Sequence, residues 1–356
     1  RDLRMSRGLG DVYKRQGYTK LMTNVGQTSN RGIELQLNAW LVETKDFSLN
    51  ATFNIGHNKN KIDKLASGEK EWILTSAWRN DVVNSDDYRA YVGGTSGLIY
   101  GYVNDGFYTV ADFEPFDSKS RSWKLKEGVV DSSPLSDTPR PGNAKFKKLT
   151  PVDPNSTNPY QLTEADRTVI GNTTPKFSGG FGLNATYKGF DMSMFFNFMY
   201  DFDVLNANKI MLTTWADNKE NNFLMNIASD KRWRNFDDMG NEIRYSPEVL
   251  AEFNKNATMW NPTSIGRPIC MSYAVEDGSF LRLNSATLGY TLPSVWTKKV
   301  GLSKVRFYVS GNNLFTLTGY SGYDPEVNIA TGLTPNIDYN RYPRSRTYTF
   351  GAQLTF

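Results

Sequence analysis

The segment FSGGFGLNATYKGFDMSMFFNFMY, residues 177–200, contains the pattern that most clearly predicts the fold. Apolar residues alternate with small or polar ones from Phe177 to Tyr187, and again from Phe190 to Tyr200. Successive side chains of a β-strand point to opposite faces of the sheet, so this period of two predicts a strand with one apolar face. The turn Lys188-Gly189 separates the two halves, and the segment therefore predicts a β-hairpin.

The same alternation recurs on both sides of this hairpin, and the sequence predicts seven strands in all. The other five are residues 33–41, 47–55, 280–292, 305–312 and 348–356. In the segment 280–292 the apolar positions change parity between Leu283 and Ala286, which predicts a β-bulge.

The connections between these strands alternate between short and long. Residues 42–46, 188–189 and 293–304 form short connections, whereas those that end near residues 176, 279 and 345 are long. The architecture of a soluble sandwich does not require every long connection to lie at one end. Outer-membrane barrels, in contrast, combine short periplasmic turns with long outer loops. Strands of about 10 residues can cross a bilayer when tilted. We therefore predict an all-β fold, an antiparallel transmembrane β-barrel segment with long extracellular loops.

Seven strands cannot form a complete bacterial barrel, because single-chain barrels have even strand numbers. Unpaired backbone groups cost several kcal/mol in hydrocarbon, so the barrel must be closed by further strands. A plugged-transporter barrel of about 22 strands would need on the order of 1,100 residues at roughly 50 residues per strand. We expect this chain to be its last third, with Phe356 at the periplasmic end.

The composition excludes several classes of protein. The chain has 356 residues, 41 Lys+Arg against 37 Asp+Glu, one His and one Cys, which excludes an intramolecular disulfide and a His/Cys zinc cluster. No stretch has the roughly 18 apolar residues of a membrane helix, and no basic block indicates nucleic-acid binding. We expect no cofactor. Residues 1–16 are basic without an apolar core, and we interpret them as a non-native or unrelated leader before the barrel segment 17–356.

Several ordered motifs resemble the carboxyl-terminal barrel of SusC/RagA-type TonB-dependent outer-membrane receptors. They are NVG at 24–26, NRGIE at 30–34, YAVEDGSFLRL at 273–283, TLGYTLP at 287–293, SGNNLF at 310–315, GYSGYDPEV at 319–327 and RYPRSR at 341–346. The likeness runs from about Gly17 to Phe356.

The resemblance implies the import of oligosaccharides or peptides across the outer membrane of Bacteroidota-like bacteria. It also implies partners: a SusD-like surface lipoprotein as a lid, the TonB complex acting through a plug domain and TonB box, the barrel-assembly machinery, and outer-membrane lipid. We find no plug, TonB box or signal peptide in the sequence, so these residues alone are expected not to transport.

A receptor of this kind requires binding residues rather than catalytic ones, and the outer loops are rich in tryptophan. Sugar rings stack on indole faces, so the candidate ligand-binding residues are Trp72, Trp78, Trp123, Trp215, Trp233 and Trp260. The alternative is that they pack loop against loop or against the lid. Asp324, Pro325 and Glu326 either bind a cation or the lid, or set a turn.

The last strand carries a further pattern. Its aromatic and apolar residues resemble the signal by which the assembly machinery recognises a terminal strand, and they are Tyr348, Phe350, Leu354 and Phe356.

Two other classes of function remain open from the residues. A secreted or cell-surface carbohydrate-binding β-domain would bury Leu35, Phe181, Phe196 and Leu354 in one dry interior, whereas a barrel would face them to lipid. A glycosidase needs two carboxylates facing each other across a cleft, and no motif marks such a pair.

Overall fold

A computed structural model describes residues 26–65, 68–79, 82, 86–136, 138–214, 224, 231–328 and 332–356. The predicted leader, residues 1–16, lies outside the described residues. The strands are β1 Gly26–Glu43, β2 Phe47–Leu65, β3 Glu71–Leu74, β4 Tyr88–Tyr91, β5 Leu98–Gly101, β6 Asn104–Phe107, β7 Ala144–Phe146, β8 Thr168–Asn172, β9 Phe177–Tyr187, β10 Phe190–Tyr200, β11 Asp203–Asn206, β12 Val275–Asp277, β13 Phe280–Thr291, β14 Lys304–Thr318, β15 Ile337–Asp338 and β16 Thr347–Thr355.

The helices of the described residues are short. The α-helices are α1 Ala207–Met211, α2 Pro247–Phe253 and α3 Ser294–Thr297, and the 3-10 turns are Val110–Asp112, Glu164–Asp166, Pro262–Ser264, Ser272–Ala274 and Lys298–Val300. In the described parts of the chain, no helix combines the length and apolar character needed to cross a membrane.

One seven-stranded sheet has the order β1-β2-β9-β10-β13-β14-β16, with every neighbouring pair antiparallel. The seven predicted strands and their sequential pairing are confirmed. The predicted bulge is confirmed too, because the register of β13 shifts between Leu283 and Ser285 against β14. The strand lengths differ from the prediction: β1 has 18 residues and β2 has 19, since their outer ends continue to pair as far as Gly26 and Leu65.

The register of the sheet aligns the apolar residues into rows. One row crosses six strands and consists of Leu37, Phe53, Phe181, Phe196, Leu283 and Phe315. Within this row the rings of Phe181 and Phe196 stack with their centroids 4.5 Å apart. A row of the opposite parity consists of Asn50, Asn184, Ser193, Thr287, Ser310 and Thr349. The sheet therefore has one apolar and one polar face.

The apolar face of the sheet does not form a dry interior. Leu35 is 48% exposed and Leu354 is 51% exposed, while Phe181 and Phe196 are half-buried. None of these four residues belongs to a buried cluster of the described chain. This arrangement agrees with an apolar face turned toward lipid and disagrees with a two-sheet sandwich.

The buried apolar clusters lie mostly in the three long connections, residues 66–176, 201–279 and 319–346. We call the described parts of these connections the loop body. One cluster unites all three: Tyr88 and Ile99 come from the first connection, Leu205 and Ile210 from the second, and Ile337 from the third. The first connection also forms the sheet β3-β4-β5-β8, and the sheet β12-β11-β15 joins the second connection to the third. The long loops thus pack as one unit at one end of the sheet.

Candidate ligand-binding site in the loop body

Four of the predicted tryptophans are buried inside the loop body: Trp72, Trp78, Trp233 and Trp260. Trp72 donates a hydrogen bond through Nε1 to the Glu69 carboxylate, and Trp260 donates one to the carbonyl oxygen of Thr213 at 3.4 Å. In this arrangement the four indoles pack loop against loop. Their role as ligand contacts stays a prediction, and Trp215 lies outside the described residues.

Trp123 is half-buried and forms the wall between two cavities. The first cavity has a volume of about 230 Å³ and the second about 570 Å³. Both cavities are lined by Trp123, Thr138 and Pro139, so they meet at this indole. Of the predicted tryptophans in the described residues, Trp123 is therefore the one best placed to touch a ligand.

An aromatic cluster supports Trp123. The Phe116 ring lies 4.8 Å from the Trp123 ring and 6.1 Å from the Tyr245 ring, measured between centroids. Phe113 packs edge-on against Trp123 at 5.5 Å. No sequence pattern marks Phe116 or Tyr245, because both lie in irregular connections without periodicity.

The charged residues that line the first cavity are Arg121, Arg140 and Arg244. The guanidinium carbons of Arg121 and Arg244 lie 5.2 Å and 5.7 Å from the centre of the Tyr245 ring, which is within cation–π range. Arg244 also forms an ion pair with Glu242. Among the described residues, neither Arg121 nor Arg140 has an ion-pair partner.

A tight turn presents Arg121 and Trp123 to the cavity. The Asp117 carboxylate accepts hydrogen bonds from the Lys119 backbone N–H at 2.9 Å and from the Ser120 hydroxyl at 2.6 Å. The hydrogen bond from the Ser120 hydroxyl contributes most to lowering the pKa of Asp117, so the carboxylate remains charged and holds the turn. Arg121 follows with a φ of 52°, a left-handed conformation that reverses the chain before Trp123.

Gly142 shapes the opposite wall. It has a φ of 89°, and a Cβ at this position would lie 2.1 Å from Cδ1 of Trp233. Only glycine lets the segment of Arg140 and Pro141 approach the buried Trp233 this closely. The burial of Trp233 and the position of Arg140 are thus coupled through one residue.

A buried ion cluster attaches the third connection to the polar face of the sheet. Arg282 of β13 contacts the Asp324 carboxylate at 2.6 and 3.2 Å, and its Nε lies 3.1 Å from Oε2 of Glu326. Asp324 Oδ1 also accepts the Glu326 backbone N–H at 2.9 Å. Asp324 therefore both sets the turn and pairs with a cation of the protein itself.

No protein-family model matches the chain. The TonB-dependent receptor P3 of Formosa agariphila is 31% identical over 346 residues, which cover 96% of this chain and 30% of that receptor. The TonB-dependent receptor SusC of Bacteroides thetaiotaomicron is 25% identical over 343 residues, covering 95% of this chain and 27% of SusC.

The solved structures also include similar folds. The structure of the RagAB peptide transporter matches 97% of this chain and 31% of its own chain, with a TM-score of 0.63 and 22% sequence identity. At this identity the match demonstrates a shared fold. The chain spans about 30% of the length of the curated relatives it matches.

Proposed function

Because the chain is a homologue of the TonB-dependent receptors of the SusC/RagA type, we propose that it forms the carboxyl-terminal part of an outer-membrane importer of oligosaccharides. The observation that carries this proposal is the sheet of seven strands, with its apolar residues on one face and its long connections gathered at one end. Such a sheet can face lipid on one side and a watery lumen on the other.

The edges of the sheet, β1 and β16, support its inclusion in a larger barrel. Among the strands that the structure describes, each edge strand pairs with a neighbour on one side only. Since an unpaired backbone group costs several kcal/mol in hydrocarbon, we expect strands of the remaining receptor to pair with both edges.

The cavities beside Trp123 support an oligosaccharide as the substrate. A half-buried indole between two adjoining cavities suits a ligand of several linked rings, which can stack on the indole and extend to both sides. The name peptide transporter belongs to RagAB, whose similarity to this chain is a similarity of fold.

The proposed machinery comprises a SusD-like lipoprotein as a lid over the loop body and the TonB complex as the source of energy. The similarity to SusC supports both partners. The relatives are named as receptors, and we propose binding and gated passage rather than catalysis.

Growth experiments test this function. Strains that lack the receptor, the lid lipoprotein or TonB are grown on an oligosaccharide that supports growth of the wild-type strain as sole carbon source. Growth on the monosaccharide unit of that oligosaccharide is the control. We expect all three deletions to abolish growth on the oligosaccharide and to leave growth on the monosaccharide unchanged. Undiminished growth of the receptor-deletion strain or the TonB-deletion strain on the oligosaccharide would contradict import through this protein.

A further inference from the structure

The first cavity has an unusual charge for a site that would bind a neutral sugar. Its three charged lining residues, Arg121, Arg140 and Arg244, are all cations. Glu242 pairs with Arg244, which leaves the charges of Arg121 and Arg140 without a carboxylate partner among the residues the structure describes. The cavity is therefore electropositive.

Guanidinium groups at such a site select a particular chemistry. Their planar N–H groups match the oxygen geometry of sulfate esters and carboxylates, and hydrogen bonds between charged groups are about twice as strong as neutral ones. Tyr245 lies within reach of two of these cations and presents an aromatic ring to the same cavity. Arginine beside an aromatic ring suits a sugar ring that carries an anionic substituent.

The second cavity differs in charge. Its lysines are already engaged, since Lys124 pairs with Glu114 at 3.0 Å and Lys126 donates to the Ala111 carbonyl at 2.8 Å. Asp131, which also lines this cavity, accepts a hydrogen bond from Asn158 at 2.6 Å. Glu127 lines this cavity as well, so its charged residues are two lysines and two carboxylates, without the net positive charge of the first cavity.

We propose that the first cavity binds an anionic group, a sulfate ester or a uronate carboxylate, of an oligosaccharide that continues past Trp123 into the second cavity. This inference rests on the proposed function and specifies its substrate class. Arg121, Arg140 and Arg244 hold the anion, while Trp123 and Tyr245 contact the sugar rings.

The test uses the full-length receptor in detergent and an array of oligosaccharides with equal numbers of sulfated, uronate and neutral members, together with acidic hexapeptides. The variants are Arg140→Gln and Arg244→Gln, with Arg140→Lys as the conservative change. Arg267→Gln is the matched control, because Arg267 is exposed in the second connection and lines neither cavity. Heat-dependent gel migration verifies that each variant is folded.

We expect the receptor to bind anionic oligosaccharides, and each Gln variant to weaken the affinity of the tightest one about tenfold in calorimetry. Arg140→Lys should be intermediate and Arg267→Gln unchanged, and binding should weaken with added salt. The comparison of sulfated with uronate members identifies the anion.

Four outcomes would overturn the proposal: binding of neutral members alone, binding of acidic peptides alone, no binding to the array, and unchanged affinity in both Gln variants. The growth experiments do not depend on these arginines. If the receptor supports import but does not prefer anionic to neutral oligosaccharides, this inference is overturned and the proposed function stays in place.

Discussion

Asp87 is a carboxyl group buried completely within the loop body. Burial raises its pKa from 3.8 to about 6, although hydrogen bonds from the Ser76 hydroxyl and backbone N–H oppose the increase. The folded loop thus binds this proton more tightly than the opened loop does. Protonation stabilises the fold, and stability is lost as the pH rises.

We predict that the loop body opens about tenfold more often at about pH 7.5 than at about pH 5, because the ionised Asp87 favours the opened state. Cys270 reports this opening, since it is the chain's one cysteine, is buried, and shares a cluster with Tyr88. The measurement is the rate at which 4,4′-dithiodipyridine modifies Cys270, corrected for thiolate fraction.

Asp87→Asn should remove this pH dependence, whereas Asp86→Asn should preserve it. If the corrected rate of the native chain were the same at both pH values, the assignment to Asp87 would be wrong.

Gly289 of β13 lies beneath an ion pair on the polar face of the sheet. Arg306 Nε contacts Asp191 Oδ1 at 2.9 Å, joining β14 to β10 across β13. A Cβ on Gly289 would lie 2.5 Å from Nη2 of Arg306 and 2.6 Å from Oδ1 of Asp191. A methyl group at this position would require the ends of these two side chains to move.

We expect Gly289→Ala to lower the free energy of unfolding by at most about 1 kcal/mol, because the methyl group displaces the ends of a partly exposed ion pair. Gly56→Ala is the control, since its Cβ would meet no atom closer than 3.6 Å. Unfolding in denaturant, followed by gel mobility in detergent, compares the two variants. Equal stability of both would show that the ion pair adapts without cost.

A buried ion cluster attaches the third long connection to the sheet. Arg282 and Asp324 are both buried, and Glu326 adds a second carboxylate, which in turn pairs with Arg344 at 3.3 Å. Burial raises the pKa of Asp324. The hydrogen bonds and charge of Arg282, together with backbone hydrogen bonds from Glu326 and Arg344, outweigh burial and hold the pKa below its ordinary value. The carboxylate is therefore charged at neutral pH and the pair remains closed.

Asp324→Asn should detach this connection at a cost of about 3–5 kcal/mol, because it leaves the Arg282 charge buried with one carboxylate fewer. Trypsin cleavage within residues 341–346 measures the detachment, and we expect it to accelerate about 100-fold or more. The control is Asp201→Asn, which breaks the exposed Lys176–Asp201 pair and should cost at most about 1 kcal/mol. Equal cleavage rates would contradict an electrostatic attachment.

The whole sheet ends in a strand that is exposed on both faces. Along β16, Phe350 is 81% exposed, and Phe356 after it is 90% exposed. Within the described part of the chain, the same strand pairs only with β14 and leaves its other side open. We propose that this exposed aromatic end takes part in the recognition of the strand during barrel assembly.

We predict that Phe356→Ala lowers the amount of folded receptor in the outer membrane, because the assembly machinery would lose one exposed aromatic contact of the proposed signal. Tyr342→Ala is a matched control, since Tyr342 is 86% exposed but lies in a connection. The heat-modifiable fraction on gels measures assembly. An equal yield from both variants would remove Phe356 from the proposed signal.

The sequence was sufficient to predict the seven strands, their apolar face and the bulge near Leu283. Each of these features depends on the alternation of apolar and polar side chains. This alternation involves neighbouring residues only, so it is visible in the sequence wherever one face of a strand meets apolar surroundings. The prediction shortened β1, β2 and β14. The outer ends of β1 and β2, residues 26–32 and 56–65, lose the apolar alternation while their backbones still pair.

The candidate site could not be predicted in the same way. Trp123 was identifiable as an aromatic residue in a long loop, but its neighbour Tyr245 and the cavity arginines come from two different connections. Their proximity depends on how the loop body packs around residues such as Trp233 and Gly142. Irregular loops carry no periodicity, so long-range packing alone brings these groups together.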